Sequence, residues 1–192
     1  MTYDRGFKAH ANRIALEVRR ELHLDVHEPL CPWRLAESLA IPVIPLRGLN
    51  GRGASLAKHI DYLVTKGAQF FSALAVFRGS RRLIIHNDAH APTRQRSDLA
   101  HELAHALLMH PPHPPFCSNG ERIFDAKLEK EAGWLGPVLL VPNEAARGAA
   151  ATGLAEDPAA QTYGVSKDLI RFRMRMSGAT RLISHTSRRV GH

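Results

Sequence analysis

The chain has 192 residues, 44% of them hydrophobic, and a formal net charge of +8 with a pI of about 10.1. That is enough apolar material for a buried core in one domain, with room for a small C-terminal appendage, which excludes a wholly disordered chain. No apolar run approaches the ~18 residues of a membrane span, and the opening MTYDRGFKAHANR lacks the apolar stretch of a signal peptide, so a cytoplasmic protein is expected.

In chain order, residues from about Arg5 to Leu24 carry Ile14, Val18 and Leu22 at helical intervals. Pro32 to Leu39 reads as a second short helix begun by a proline, and Ile41 to Leu46 as extended chain. The glycines of 48–53 form a turn; the Lys-Ser/Thr of a phosphate loop is missing there. Gln69 to Phe77 and Arg82 to His86 are β-rich runs separated by Arg78-Gly79-Ser80, a length that suits a hairpin. A helix follows, with Ser97 and Asp98 as its expected caps and Pro111-Pro112 as its stop. The stretch PPHPPFCSNG is a surface loop near that helix, and a further helix starts at about Glu121. An Ala/Gly-rich connection from Ala145 to Ala160 leads to a basic segment, where Ser166 caps a short helix packing Leu169, Ile170 and the stem of Arg173, with mobile residues after about Ser177. The expected division is 1–142 for the main domain and 143–192 for the appendage.

Residues 101–105 read His-Glu-Leu-Ala-His. On a helix, two imidazoles four residues apart lie about 40° from each other on one face, so both reach one metal ion while Glu102 stands beside them to handle a proton. A third protein ligand must come from elsewhere, and the next helix offers Asp125, Glu129 and Glu131. Glu129 and Glu131 are separated by about 200° around a helix, so only one can face the metal. Glu129 shares its face with Ala132, Gly133 and Gly136, small residues that let helices approach closely; Glu131 is expected to be an ordinary solvated charge. Two imidazoles and a carboxylate suit zinc, with manganese as the alternative. Cys31 and Cys117 are too few for a disulfide framework or a four-thiolate site, and although Cys117 follows His113 closely, no further ligand spacing supports a second metal. Tyr163, His110, His113 and His185 are chemically suited to stabilise an oxyanion, but ordinary packing or surface roles account for each; His86 and His90 read as strand-end and loop polar groups.

From about Phe71 to Pro142 the blocks SALAVF, RRLIIHN, RQRSDLAHELAHALL and LEKEAGWLGPVLLVP resemble the ImmA/IrrE metallopeptidases, which carry the DUF955 domain. RLAESLAIPV before them and YGVSKDLIRFRM after them agree more loosely. The resemblance implies an α+β fold, a compact gluzincin-type zincin with a small β-sheet, an H-E-x-x-H helix and a C-terminal helical segment. It maps His101, His105 and Glu129 onto metal ligands and Glu102 onto the general base. It further implies a metal-dependent endopeptidase acting on a separate protein, such as a helix-turn-helix repressor or similar regulator.

The chain departs from the family's E-x-x-A-N pattern at Gly133, where a side chain that orients a liganding histidine is missing. Pro137 withholds the N–H that would have bonded the Gly133 carbonyl and should kink the helix, so that carbonyl is expected to accept a ring N–H from His101 or His105. The alternative function is a zincin-fold binding protein, weak or inactive in catalysis, that regulates by contact with protein or DNA. Its basis is charge: from Ser166 to His192 there are seven Lys or Arg against one Asp, although no aromatic interleaving accompanies them.

Overall fold

The computed structural model describes residues 3–51, 53–79, 81–111 and 125–179. Its elements are α1 (Phe7–Glu21), α2 (Pro32–Ser38), β1 (Val43–Pro45), α3 (Ala54–Val64), β2 (Ala73–Arg78), β3 (Arg81–His86), α4 (Pro92–Leu107), α5 (Ala126–Leu140), α6 (Asn143–Ala151), α7 (Glu156–Tyr163) and α8 (Lys167–Met176). They divide into two compact units, one of Pro32–Gly133 and one formed by Met1–Cys31 with Trp134–His192. The expected 111–120 loop beyond Pro111, the start of a helix near Glu121, His113, Cys117 and His185 lie outside the described residues, as do those after Ala179.

The first unit is built on a three-stranded sheet of order β1-β3-β2, with β1 parallel and β2 antiparallel to β3. The β2–β3 hairpin turns at Arg78–Arg81, as the two β-rich runs require. Ile84 in the central strand is fully buried, and α4 packs on β2 and β3 while α2 packs on α4. Helix α3 was not foreseen, although Leu56, Ile60 and Leu63 recur at helical spacing and Ile60 is buried.

Two features of α4 differ from expectation. It begins at Pro92, whose fixed φ and missing N–H suit the first helical position, so Ser97 and Asp98 lie inside the helix instead of capping it. Its end is a Schellman turn: the amide of His110 donates to His105 O (3.0 Å) and that of Met109 to Ala106 O (3.0 Å), with Met109 at φ 52° where glycine is usual. Pro111 then prevents continuation. At the end of the central strand β3, the His86 ring is buried edge-to-face against Trp33. Burial holds its pKa below the ordinary value despite Asp88 and Asp98 nearby. The unfolded chain takes up that proton near pH 6.5 and the folded chain resists it, so stability should fall as pH drops below about 6.5. Urea midpoints at about pH 7.5 and 5.5 check this; a wild-type loss no larger than that of His86→Phe would acquit His86.

The second unit is helical, and its Ala/Gly-rich passage is not a plain connection. It forms α6 and α7, with Ala145, Ala146, Ala149, Ala150, Ala159 and Ala160 buried, small side chains that allow close helix packing. Two buried arginines organise the end of α5. The last carbonyls of any helix lack intrahelical partners. Here Arg19 donates from Nη1 to Leu139 O (2.7 Å) and from Nη2 to Leu140 O (3.2 Å), and Arg173 donates from Nε to Val141 O (2.8 Å) and from Nη2 to Asn143 Oδ1 (2.7 Å). Burial draws both guanidinium pKa values down to about 10, so each remains charged at neutral pH. Asn12 completes the frame, donating to Glu144 and accepting from the amide of Asn143 (2.9 Å). Ser166 caps α8 as expected, accepting from the amide of Leu169 (3.2 Å); Ile170 and Arg173 are its buried residues, while Leu169, also expected to pack, is only half-buried.

Candidate metal centre

Everything in the site belongs to the Pro32–Gly133 unit. Leu99, Ala100, Leu103 and Ala104 bury one side of α4, which turns His101 and His105 toward the first half of α5. Asp125 starts α5 as its cap, its Oδ1 accepting from the amides of Lys127 (2.9 Å) and Leu128 (3.2 Å), so this carboxylate serves the helix terminus. One turn on, Glu129 meets both imidazoles. Its Oε2 is 3.1 Å from His101 Nε2, its Oε1 is 3.7 Å from His105 Nε2, and the two Nε2 atoms are 3.2 Å apart.

Those spacings can be tested against a metal. Four ligands at ~2.0–2.1 Å in a tetrahedral array lie about 3.3–3.4 Å from one another. The observed separations bracket that figure, and the His101, His105 and Glu129 ligand atoms all fall within 4.8 Å of one another. Were a metal bound there, the three donors found among the described residues would leave a fourth tetrahedral position open, as a catalytic site requires. Glu102, buried in α4, lines the same cleft of about 380 Å³ as His101 and Glu129, together with Gln69, Phe70, Phe71, Ser72, Ala73 and Asp98. Four sequence-derived site residues are thereby brought together.

Other expectations change. Glu131 is not a solvated charge: its side chain is 15% exposed and its Oε2 lies 3.2 Å from Nε2 of His110. His110, for which a surface or packing role sufficed, is buried, and its Nδ1 stands 2.9 Å from Nδ1 of His105. The Schellman turn is the cause, because it folds residue 110 back over the last turn of α4. Burial holds the His110 pKa below its ordinary value, outweighing the pull of Glu131. The 200° between Glu129 and Glu131 still holds, but it sends the two carboxylates to different rings instead of sending one to solvent.

Gly133 also differs. Among the described residues a Cβ built there meets nothing within 4 Å, so none of them makes the glycine a point of close helix approach. Among the described residues no hydrogen bond joins its carbonyl to either ligand ring, and α5 continues across Pro137 to Leu140. His90 is held by Ala68 O (2.9 Å) and Asp98 (3.3 Å), which makes it a loop anchor. Tyr163 lies in the other unit, buried. What the sequence reading missed was Asp98, the 69–72 segment and the His110–Glu131 pair; the one advance signal was a histidine five residues beyond His105 and directly before a proline.

A helix bearing paired histidines, laid on a small mixed sheet and joined by a carboxylate from the following helix, defines an α+β protein of zincin-like fold. The family model described as the IrrE N-terminal-like domain, Peptidase M78, matches residues 54–175, and the chain belongs to that family of metal-dependent peptidases. No curated protein and no solved structure matches the chain. Among the described residues no helix is long and apolar enough to cross a membrane.

Proposed function

We propose that this protein is a zinc-dependent endopeptidase in which His101, His105 and Glu129 hold the metal and Glu102 is the general base. The observation that carries the reading is the convergence of two Nε2 atoms and a carboxylate at tetrahedral spacing beside a buried glutamate in a cleft. When bound there, zinc supplies Lewis acidity, lowering the pKa of water and polarising a carbonyl; manganese is the alternative metal. Glu102 takes the proton of the attacking water and passes it to the leaving amine nitrogen. Strand β2 contributes to substrate placement. It pairs on one side with β3 and its first residue Ala73 lines the cleft; among the described residues no strand pairs with its other edge, which would offer backbone donors and acceptors to an extended peptide.

A narrow protein substrate, a helix-turn-helix repressor or similar regulator, is proposed from the family resemblance. The DNA-contacting alternative loses much of its basis in α8. Arg173 is buried on main-chain and Asn143 oxygens, and Arg171 is engaged by Glu156 (2.6 Å) and Asp168 (3.1 Å). The deciding measurement is metal content. Purified wild type should carry near-stoichiometric zinc, and Glu129→Ala should lose most of it; metal-free protein in both cases would sink the peptidase reading in favour of a binding protein.

A further inference from the structure

We infer that His110 and Glu131 are positioning residues that set the tautomer of His105. The inference rests on the metal-site reading above and adds two residues to it. The contacts form a single line: Glu131 Oε2 to His110 Nε2 at 3.2 Å, then His110 Nδ1 to His105 Nδ1 at 2.9 Å, then His105 Nε2 facing the His101–Glu129 cluster.

Proton placement along this line is determined from one end. A carboxylate only accepts, so His110 Nε2 carries a hydrogen and donates to Glu131. Neutral His110 then has a lone pair on Nδ1, which accepts a hydrogen bond. His105 must therefore carry its hydrogen on Nδ1, and its Nε2 is left with the lone pair that a metal ion needs. Ligating histidines commonly donate their other ring nitrogen to a carboxylate or carbonyl. Here a second imidazole stands between ring and carboxylate. The burial of His110 and the 15% exposure of Glu131 keep water from competing for either contact.

The amide variant removes the constraint, because its oxygen accepts as before while its NH₂ can also donate. In Glu131→Gln the side-chain NH₂ can donate to His110 Nε2, moving the His110 hydrogen to Nδ1, which then donates to His105 and shifts that ring's hydrogen to the ligating Nε2. The test is long-range ¹⁵N–¹H correlation of the histidine rings in the full chain, metal-free and zinc-loaded, with zinc affinity measured by competition against a chromophoric chelator. In wild type His105 should be protonated on Nδ1 and His110 on Nε2. Glu131→Gln should mix or invert these tautomers and weaken zinc by about 10–100-fold, the usual cost of losing such a partner, and His110→Phe should weaken it comparably. If His110→Phe does not fold, the near-isosteric Glu131→Gln decides. Metal-free wild type with His110 protonated on Nδ1 overturns the inference whatever the zinc result, and so does a folded Glu131→Gln with wild-type tautomers and affinity. Failure of the peptidase reading looks different: wild type would bind no zinc while its tautomers still answered the question.

Discussion

Glu102→Gln is expected to keep the fold and most of the bound metal and to lose cleavage by about 10²-fold or more, the range for removing a general base. The amide is close to the carboxylate in size and shape, so packing on the buried side of α4 changes little. It cannot take a proton from water. Because Glu102 is not among the three residues whose donor atoms converge, zinc content should follow the wild type while turnover does not, and that separates a proton-handling role from a ligand role. The assay is cleavage of a peptide found by screening wild type against a library, with zinc measured on the same samples. Undiminished turnover by the variant would remove Glu102 from the mechanism.

Arg173→Ala is expected to cost roughly 3–6 kcal/mol of stability through its two lost bonds alone. The guanidinium is buried, and its loss leaves Val141 O and Asn143 Oδ1 without their charged donors, at roughly 1.5–3 kcal/mol for each such bond, besides a cavity. Arg171, two residues along the same helix, is the natural control, since its ion pairs with Glu156 and Asp168 are exposed and solvent screens them. Urea denaturation of the full chain should give a large drop in midpoint for Arg173→Ala and a small one for Arg171→Ala. Equal shifts would show that the carbonyls at the end of α5 do not depend on the buried arginine. The pair also redefines what the basic C-terminal segment is for: part of its charge is internal structure.

How much was legible in the sequence depends on the range of the interaction concerned. The i, i+4 spacing of His101 and His105 is a property of one helix, so any fold that makes the helix puts both rings on one face. The hairpin and the cap at Ser166 are equally local and were read correctly; for Arg173 only a packed stem is expected from the sequence, and its whole guanidinium is buried because Val141 and Asn143, distant in the chain, receive it. Glu129 required one step more, a choice between two carboxylates on opposite sides of the next helix. It came out at the imidazoles, yet close packing at Gly133 does not explain it, since among the described residues a Cβ added there would meet nothing within 4 Å.

Where the reading failed, the deciding contact joined segments that no local pattern connects. Ser97 and Asp98 are good caps in isolation, but Pro92 started the helix earlier and left Asp98 to line the cleft. His110 looked ordinary because its role depends on a Schellman turn returning it to His105 and on α5 delivering Glu131, 21 residues later, to its far nitrogen. The sequence by itself determined the chemistry available: two imidazoles on one helical face, a glutamate between them and carboxylates on the following helix. Only the tertiary structure decided which nitrogen of each ring faces the cluster and that His110, held by Glu131, stands behind His105, because orientation of a ring is set by partners brought together from distant parts of the chain and not by spacing along it.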